Sequence, residues 1–246
     1  MCVMNNSDNR FVLVVDSEPK NLIFLSMIIQ RLGYPACSAL GVGNALEIAG
    51  ATAPSLVIAE LHLKGLSGLD LLERLRQKPE TGCVPVVIMT RELTPELERQ
   101  CLAAGAAACL EKPVKVTPLY QAIHPLIEPG SRRTNVRIET RLSVAVDGRS
   151  LDCVDGECVT GLSVKGMYLR TRKPYPVNTP VCLRATINEE EIEADAVVSY
   201  CRPPEDGDLG MWGIGFKFIM TSPETGEIIR RFINDEVTHG IEPAVE

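Results

Sequence analysis

Over the first half of the chain, short apolar runs alternate with segments whose apolar residues recur at helical spacing. FVLVV from Phe11, LVIAEL from Leu56 and VPVVIM from Val84 are continuous and rich in Val and Ile, the pattern of parallel strands buried on both faces. A shorter run, AACL, begins at Ala107. Between these lie amphipathic segments: NLIFLSMIIQRL from Asn21, SGLDLLERLRQ from Ser67 and TPELERQCLAAG from Thr94. The last has Thr94 as N-cap, Pro95 at the first helical position and Gly105 as the stop. Such alternation predicts an α/β domain, a doubly wound parallel sheet with helices on both faces.

The pattern changes after EPGSRR, a Pro, Gly and Ser-bearing linker that starts at Glu128. Strand-like runs now follow one another: LSVAVDG, VKGMYLRT, VCLRATI, IEADAVVSYC and WGIGFKF. Turn signals separate them at Asp147-Gly148, Asp155-Gly156, Pro203-Pro204 and Asp206-Gly207. Regular short strands with such turns predict an all-β second domain, a small antiparallel barrel or sandwich. One helix closes the chain, SPETGEIIRRFINDEV, with Ser222 as N-cap and an apolar stripe of Ile228, Ile229, Phe232 and Ile233. The boundaries read as 10–128 and 129–240.

Composition narrows the class. The 246 residues are 45% hydrophobic, enough for two domains that each bury a core without staples. A net charge of -7 argues against broad affinity for nucleic acid or anionic membrane. The N-terminus has no signal-peptide pattern, and LIFLSMII is too short to span a bilayer, so the cytoplasm is expected. The 9 cysteines form no CxxC pair and read as reduced small hydrophobes. There is no Ser–His–Asp set, P-loop or Gly-rich dinucleotide fingerprint, so no enzyme is expected. Trp212 reads as core or barrel rim, and Tyr168 and Tyr200 as strand packing.

Ligands of open α/β sheets sit at the carboxyl ends of the strands. Those ends carry Asp16, Ser17 and Glu18, then Glu60, then Thr90, then Lys112 before Pro113. Carboxylates gathered on one rim could hold a hard cation such as Mg²⁺, with Asp16 and Glu60 as the donors. VLVVDSEP, LVIAELHLKGLSGLDLL, VVIMT and LEKP, in that order, resemble the response-regulator receiver family, a flavodoxin-like (βα)5 fold. The family uses an acidic pair, a phosphoaccepting aspartate, a Ser/Thr and a lysine. Here Asp16, Thr90 and Lys112 match it. Ser17 replaces the second acid, which weakens the cation site, and Glu60 stands at the phosphoacceptor position. Its carboxylate is one methylene further out, which misaligns in-line attack on a phosphodonor. The resemblance therefore implies a receiver that does not accept phosphate, either with Glu60 imitating the charged state beside Lys112 or as a docking and dimerisation scaffold. A homodimer stays open.

The second domain begins with arginines. Arg132, Arg133 and Arg137 lie in SRRTNVR, and GLSVKG runs from Gly161 to Gly166. Guanidinium forks suit phosphate and the Hoogsteen edge of guanine. An RxxxR pair followed by a (D/N)xSxxG turn resembles the PilZ family, which implies a six-stranded antiparallel β-barrel with a closing helix and cyclic di-GMP as ligand. Carried over by position, Arg132, Arg133 and Arg137 would grip guanines and phosphates, Ser163 would touch the ligand, and Gly166 would let the backbone approach it. Gly161 departs from the family's Asp or Asn, which weakens binding without abolishing it. The function this implies is a bacterial regulator that binds cyclic di-GMP and relays it to a partner protein. A phosphorylation-responsive regulator of a two-component phosphorelay and a ligand-free interaction scaffold remain the alternatives.

Overall fold

The computed structural model describes residues 11–131, 134–204 and 210–241. The chain forms two compact units, of which the second runs from Asn135 to Glu236. The first alternates β1 (Val12–Val15), α1 (Pro19–Arg31), β2 (Ala36–Ala39), α2 (Val42–Ala51), β3 (Leu56–Glu60), α3 (Gly68–Arg76), β4 (Val86–Thr90), α4 (Pro95–Ala103), β5 (Ala108–Glu111) and α5 (Val116–Ile127). Its sheet is parallel in the order β2-β1-β3-β4-β5. Every residue of β1, β3 and β4 is buried, which is why these three strands read as unbroken apolar runs. Leu71, Leu72 and Leu75 of α3 and Ala45 and Ala49 of α2 join the core on one side of the sheet.

Local chemistry sets the helix starts. Thr94 accepts a hydrogen bond from the Leu97 amide at 3.2 Å. Ser67 and Asp70 form a reciprocal capping box, and the Ser67 amide bonded to Asp70 holds that carboxyl below its usual range. None of the eight described cysteines forms a disulfide. Burial, with Cys101 alongside, pushes the Cys109 thiol up to about 12, so it packs as a small hydrophobe.

The second unit contains β6 (Ile138–Leu142), β7 (Val144–Val146), β8 (Arg149–Leu151), β9 (Cys158–Ser163), β10 (Gly166–Thr171), β11 (Pro180–Ile187), β12 (Glu190–Arg202), β13 (Trp212–Thr221) and α6 (Pro223–Thr238). The strands form one curled antiparallel sheet in the order β6-β9-β10-β13-β12-β11-β7-β8. It has eight strands among the described residues, not the six expected. The strand is interrupted at Ser143, between β6 and β7, and the Asp147-Gly148 turn adds the short β7–β8 hairpin. Both turn residues have positive φ, 49° and 80°, as a tight hairpin turn requires. Two register shifts in the long β12 bend the sheet. Ser222 caps α6 by accepting from the Thr225 amide at 3.0 Å, and Ile229, Phe232 and Ile233 are its buried face. Among the described residues, no helix is long and apolar enough to cross a membrane.

Candidate functional site

In the first unit, parallel packing brings the strand ends together. Asp16, Ser17, Glu18, Glu60, Thr90 and Lys112 line one cavity of about 420 Å³. Lys112 is its centre. Its ammonium lies 2.5 Å from Asp16 Oδ2 and contacts Glu60 Oε2 directly. Asp16 Oδ1 also accepts from the Glu18 amide at 2.8 Å, and Glu60 Oε1 from the His62 amide at 3.3 Å. Both carboxylates are almost fully buried. Thr90 is buried too, and its hydroxyl donates to the Glu92 carbonyl at 3.4 Å, a long bond. Glu18 turns away: its half-exposed carboxylate pairs with exposed Lys64 at 3.5 Å.

A divalent cation would compete here with Lys112 for its donors. Mg²⁺ binds through near-octahedral oxygen donors, usually one or two carboxylates with waters and phosphate oxygens, but both buried carboxylates here already hold the Lys112 ammonium. Ser17 offers no third acid, and no group of three or more His, Cys, Asp and Glu among the described residues could hold a metal. The end of β3 is also fixed from behind. A Cβ on Gly68 would lie 2.5 Å from the Glu60 carbonyl oxygen and 3.2 Å from Ile88 Cδ1, so the start of α3 presses directly on the backbone that carries Glu60.

In the second unit, strand pairing assembles the two motif elements. Arg132 and Arg133 lie outside the described residues. Arg137 is exposed just before β6. Its stem lies over Gly161 of β9: a Cβ there would meet Arg137 Cδ and Tyr168 Cβ at 3.5 Å each. Glu139 of β6 stands directly opposite Gly161. Ser163 and Gly166 pair across the β9–β10 turn. The Ser163 hydroxyl donates to the Gly166 carbonyl at 3.0 Å and accepts from the Lys165 amide at 3.4 Å, so it shapes the turn. Gly166 is required by the protein itself. Its missing Cβ would overlap the Phe216 carbonyl oxygen and lie 3.3 Å from Lys217 Cα, so β13 occupies the space.

Residues that sequence reading assigned to packing also reach this face. Tyr168 of β10 and Tyr200 of β12 both pair with Gly215 of β13, and their ring centroids lie 6.1 Å apart. The signal in the sequence is the alternation of Gly213 and Gly215 in WGIGF, which leaves one face of β13 without side chains at these two positions. Half-buried Trp212 pairs with fully buried Thr171 and belongs to the other face.

Comparison with known proteins agrees with both halves. The response regulator receiver domain model matches residues 12–124, and the PilZ domain model matches residues 131–235. The sensory/regulatory protein RpfC of Xanthomonas campestris pv. campestris is 30% identical over 147 residues, 57% of this chain and 20% of that protein. The sensor histidine kinase RcsC of Salmonella typhi is 31% identical over 119 residues, 48% of this chain and 12% of its own length. This chain thus spans a fifth or less of these relatives. The structure of the chemotaxis protein CheY4 of Vibrio cholerae superposes with a TM-score of 0.45 at 23% identity, covering 48% of this chain and 98% of that one. Residues 12–124 are a response regulator receiver domain and residues 131–235 are a PilZ domain, joined in that order.

Proposed function

We propose that this chain is a non-catalytic cytoplasmic regulator of bacterial signalling whose PilZ domain binds cyclic di-GMP. Its receiver domain works without phosphorylation, and its output is contact with a partner protein. The observation that carries the ligand reading is the convergence of Arg137, Gly161 and the Ser163–Gly166 turn on adjoining strands β6, β9 and β10. Separated in sequence by more than twenty residues, they meet as a cation beside a bare stretch of backbone. Isothermal titration with cyclic di-GMP tests it. Binding by the intact chain is expected, and Arg137→Ala should weaken it about ten- to a hundredfold, the value of one charge-assisted hydrogen bond. Absence of heat from folded protein at high micromolar ligand refutes the reading.

Gly161 gives a sharper check of the pose. The space at its Cβ is ordinary contact distance, 3.5 Å, so an amide side chain fits beside Arg137. Gly161→Asn should tighten binding up to about tenfold by restoring one hydrogen bond of about 0.5–1.5 kcal/mol. Gly161→Asp should gain less, because its charge would face Glu139 across the strand pair and like charges directly opposite repel. Equal affinities for all three proteins would count against this placement of the ligand.

The receiver reading rests on Lys112. Its ammonium already holds Asp16 and Glu60, which supports a pocket whose carboxylates are engaged within the protein. Acetyl phosphate or beryllium fluoride with Mg²⁺ should leave no stoichiometric adduct in intact-mass spectra. An adduct that disappears in Glu60→Gln would establish the phosphorylation-responsive alternative instead.

A further inference from the structure

We propose that the PilZ ligand site continues across the outer face of the sheet, where Tyr168 and Tyr200 form a stacking platform for a guanine base and Arg202 reads its edge. This rests on the cyclic di-GMP reading above and assigns residues outside its two motifs. The register places Gly161, Tyr168, Gly215 and Tyr200 in one cross-strand row through β9, β10, β13 and β12. Residues of one row share a face, and residues two apart along a strand share it as well. Arg202, two positions beyond Tyr200, therefore belongs to the face that Arg137 borders at its other end.

The glycines of β13 explain the platform's shape. A Cβ on Gly213 would lie 2.6 Å from Tyr168 Cζ, and one on Gly215 would lie 2.7 Å from Tyr200 Cδ1. Each ring is thus laid against bare backbone. The two planes are within 28° of each other, both side chains remain half-buried, and the Arg202 guanidinium carbon is 5.7 Å from the Tyr200 ring centroid. Glycine weakens a strand interior, yet β13 carries it at both positions that these rings cover. The result is a flat π surface with an exposed cation at its border.

That chemistry selects its occupant. A planar base stacks on flat aromatic rings. Guanine presents O6 and N7 as paired acceptors for an arginine fork, whereas adenine places an amino donor beside N7. From β6 to β12 there are four interstrand gaps, about 19 Å at about 4.8 Å each. Arginines at both ends of such a row suit a ligand with two bases and two phosphates better than a single nucleotide.

Titration of the full chain with cyclic di-GMP and cyclic di-AMP tests this. Tyr200→Leu and Arg202→Ala should each weaken cyclic di-GMP binding about tenfold or more, and Arg202→Ala should narrow the preference over cyclic di-AMP. Melting curves without ligand check that the variants fold. Independently of any variant, the ring resonances of Tyr168 and Tyr200 in ¹³C-tyrosine-labelled wild type should shift on saturation with cyclic di-GMP. Suppose wild type binds and Arg137→Ala is impaired, while Tyr200→Leu and Arg202→Ala bind normally and the rings do not shift. The platform is then overturned and the motif site stands. Absence of binding by wild type overturns both.

Discussion

Replacing Lys112 with alanine is expected to destabilise the receiver domain by about 3–5 kcal/mol, the cost of leaving a buried charge without its partner. The side chains of Lys112, Asp16 and Glu60 are only 14%, 7% and 9% exposed, so water entering the cavity replaces the lost ammonium only in part. Two like charges would then face each other at the carboxyl ends of β1 and β3, with amide donors from Glu18 and His62 as partial compensation. The second substitution Glu60→Gln should recover much of the loss, because it removes one of the two orphaned charges. The pair is a coupled network, so the double variant should depart clearly from additivity. Trp212 lies in the PilZ domain, so its fluorescence is blind to this event. Hydrogen exchange of peptides from β1 and β3 reports it directly. If Lys112→Ala protects those peptides as well as wild type does, the carboxylates are not held as the geometry implies, and the constitutive-charge reading of Glu60 goes with them.

The second large effect is expected at Gly166. Its backbone has no positive φ, so alanine is conformationally acceptable there and only space opposes it. The added methyl would overlap the Phe216 carbonyl oxygen, with the Phe216 carbonyl carbon at 3.2 Å and Lys217 Cα at 3.3 Å. These are backbone atoms that cannot swing aside. Relief requires β10 to separate from β13, at the end where Gly166 pairs with Lys217 and the Phe218 amide donates to the Lys165 carbonyl at 3.0 Å. Overpacking of this kind costs about 1–3 kcal/mol, and the backbone obstruction argues for the upper end. For a domain of about 100 residues that lowers the melting temperature by on the order of 10–20 °C, read from Trp212 fluorescence on the neighbouring strand. Gly161→Ala is the control. Its nearest neighbours are at 3.5 Å, and it should melt close to wild type. Equal melting of both alanine variants and wild type would show that β13 does not crowd Gly166, and the ligand would again be the reason for glycine there.

The elements legible in the chain were those whose environment forces a pattern. β1, β3 and β4 are buried on both faces and so appear as unbroken apolar runs. Thr94 and Ser222 are visible because caps use side-chain chemistry. β2 reads ACSA at the sheet edge, with one buried residue, and offers no run to detect. α2 starts at Gly41 without a side-chain cap. α5 contains Pro118 and Pro125, which normally argue against a helix. The β7–β8 hairpin has three residues per strand, too short for alternation to show.

The candidate sites divide along the same line. Sequence alone determined which chemistry is present and where along the chain: acids, a hydroxyl and a lysine at strand ends, and arginines ahead of a Ser–Gly turn. It could do so because strand ends and turns are local features marked by residue type. Tertiary structure alone decided which of those groups meet. Lys112 reaches Asp16 and Glu60 across a parallel sheet, Gly166 is crowded by β13, and Tyr168 and Tyr200 share a face through strands β10, β13 and β12. Cross-strand register depends on pairings between distant segments, and no single stretch of the chain carries that information.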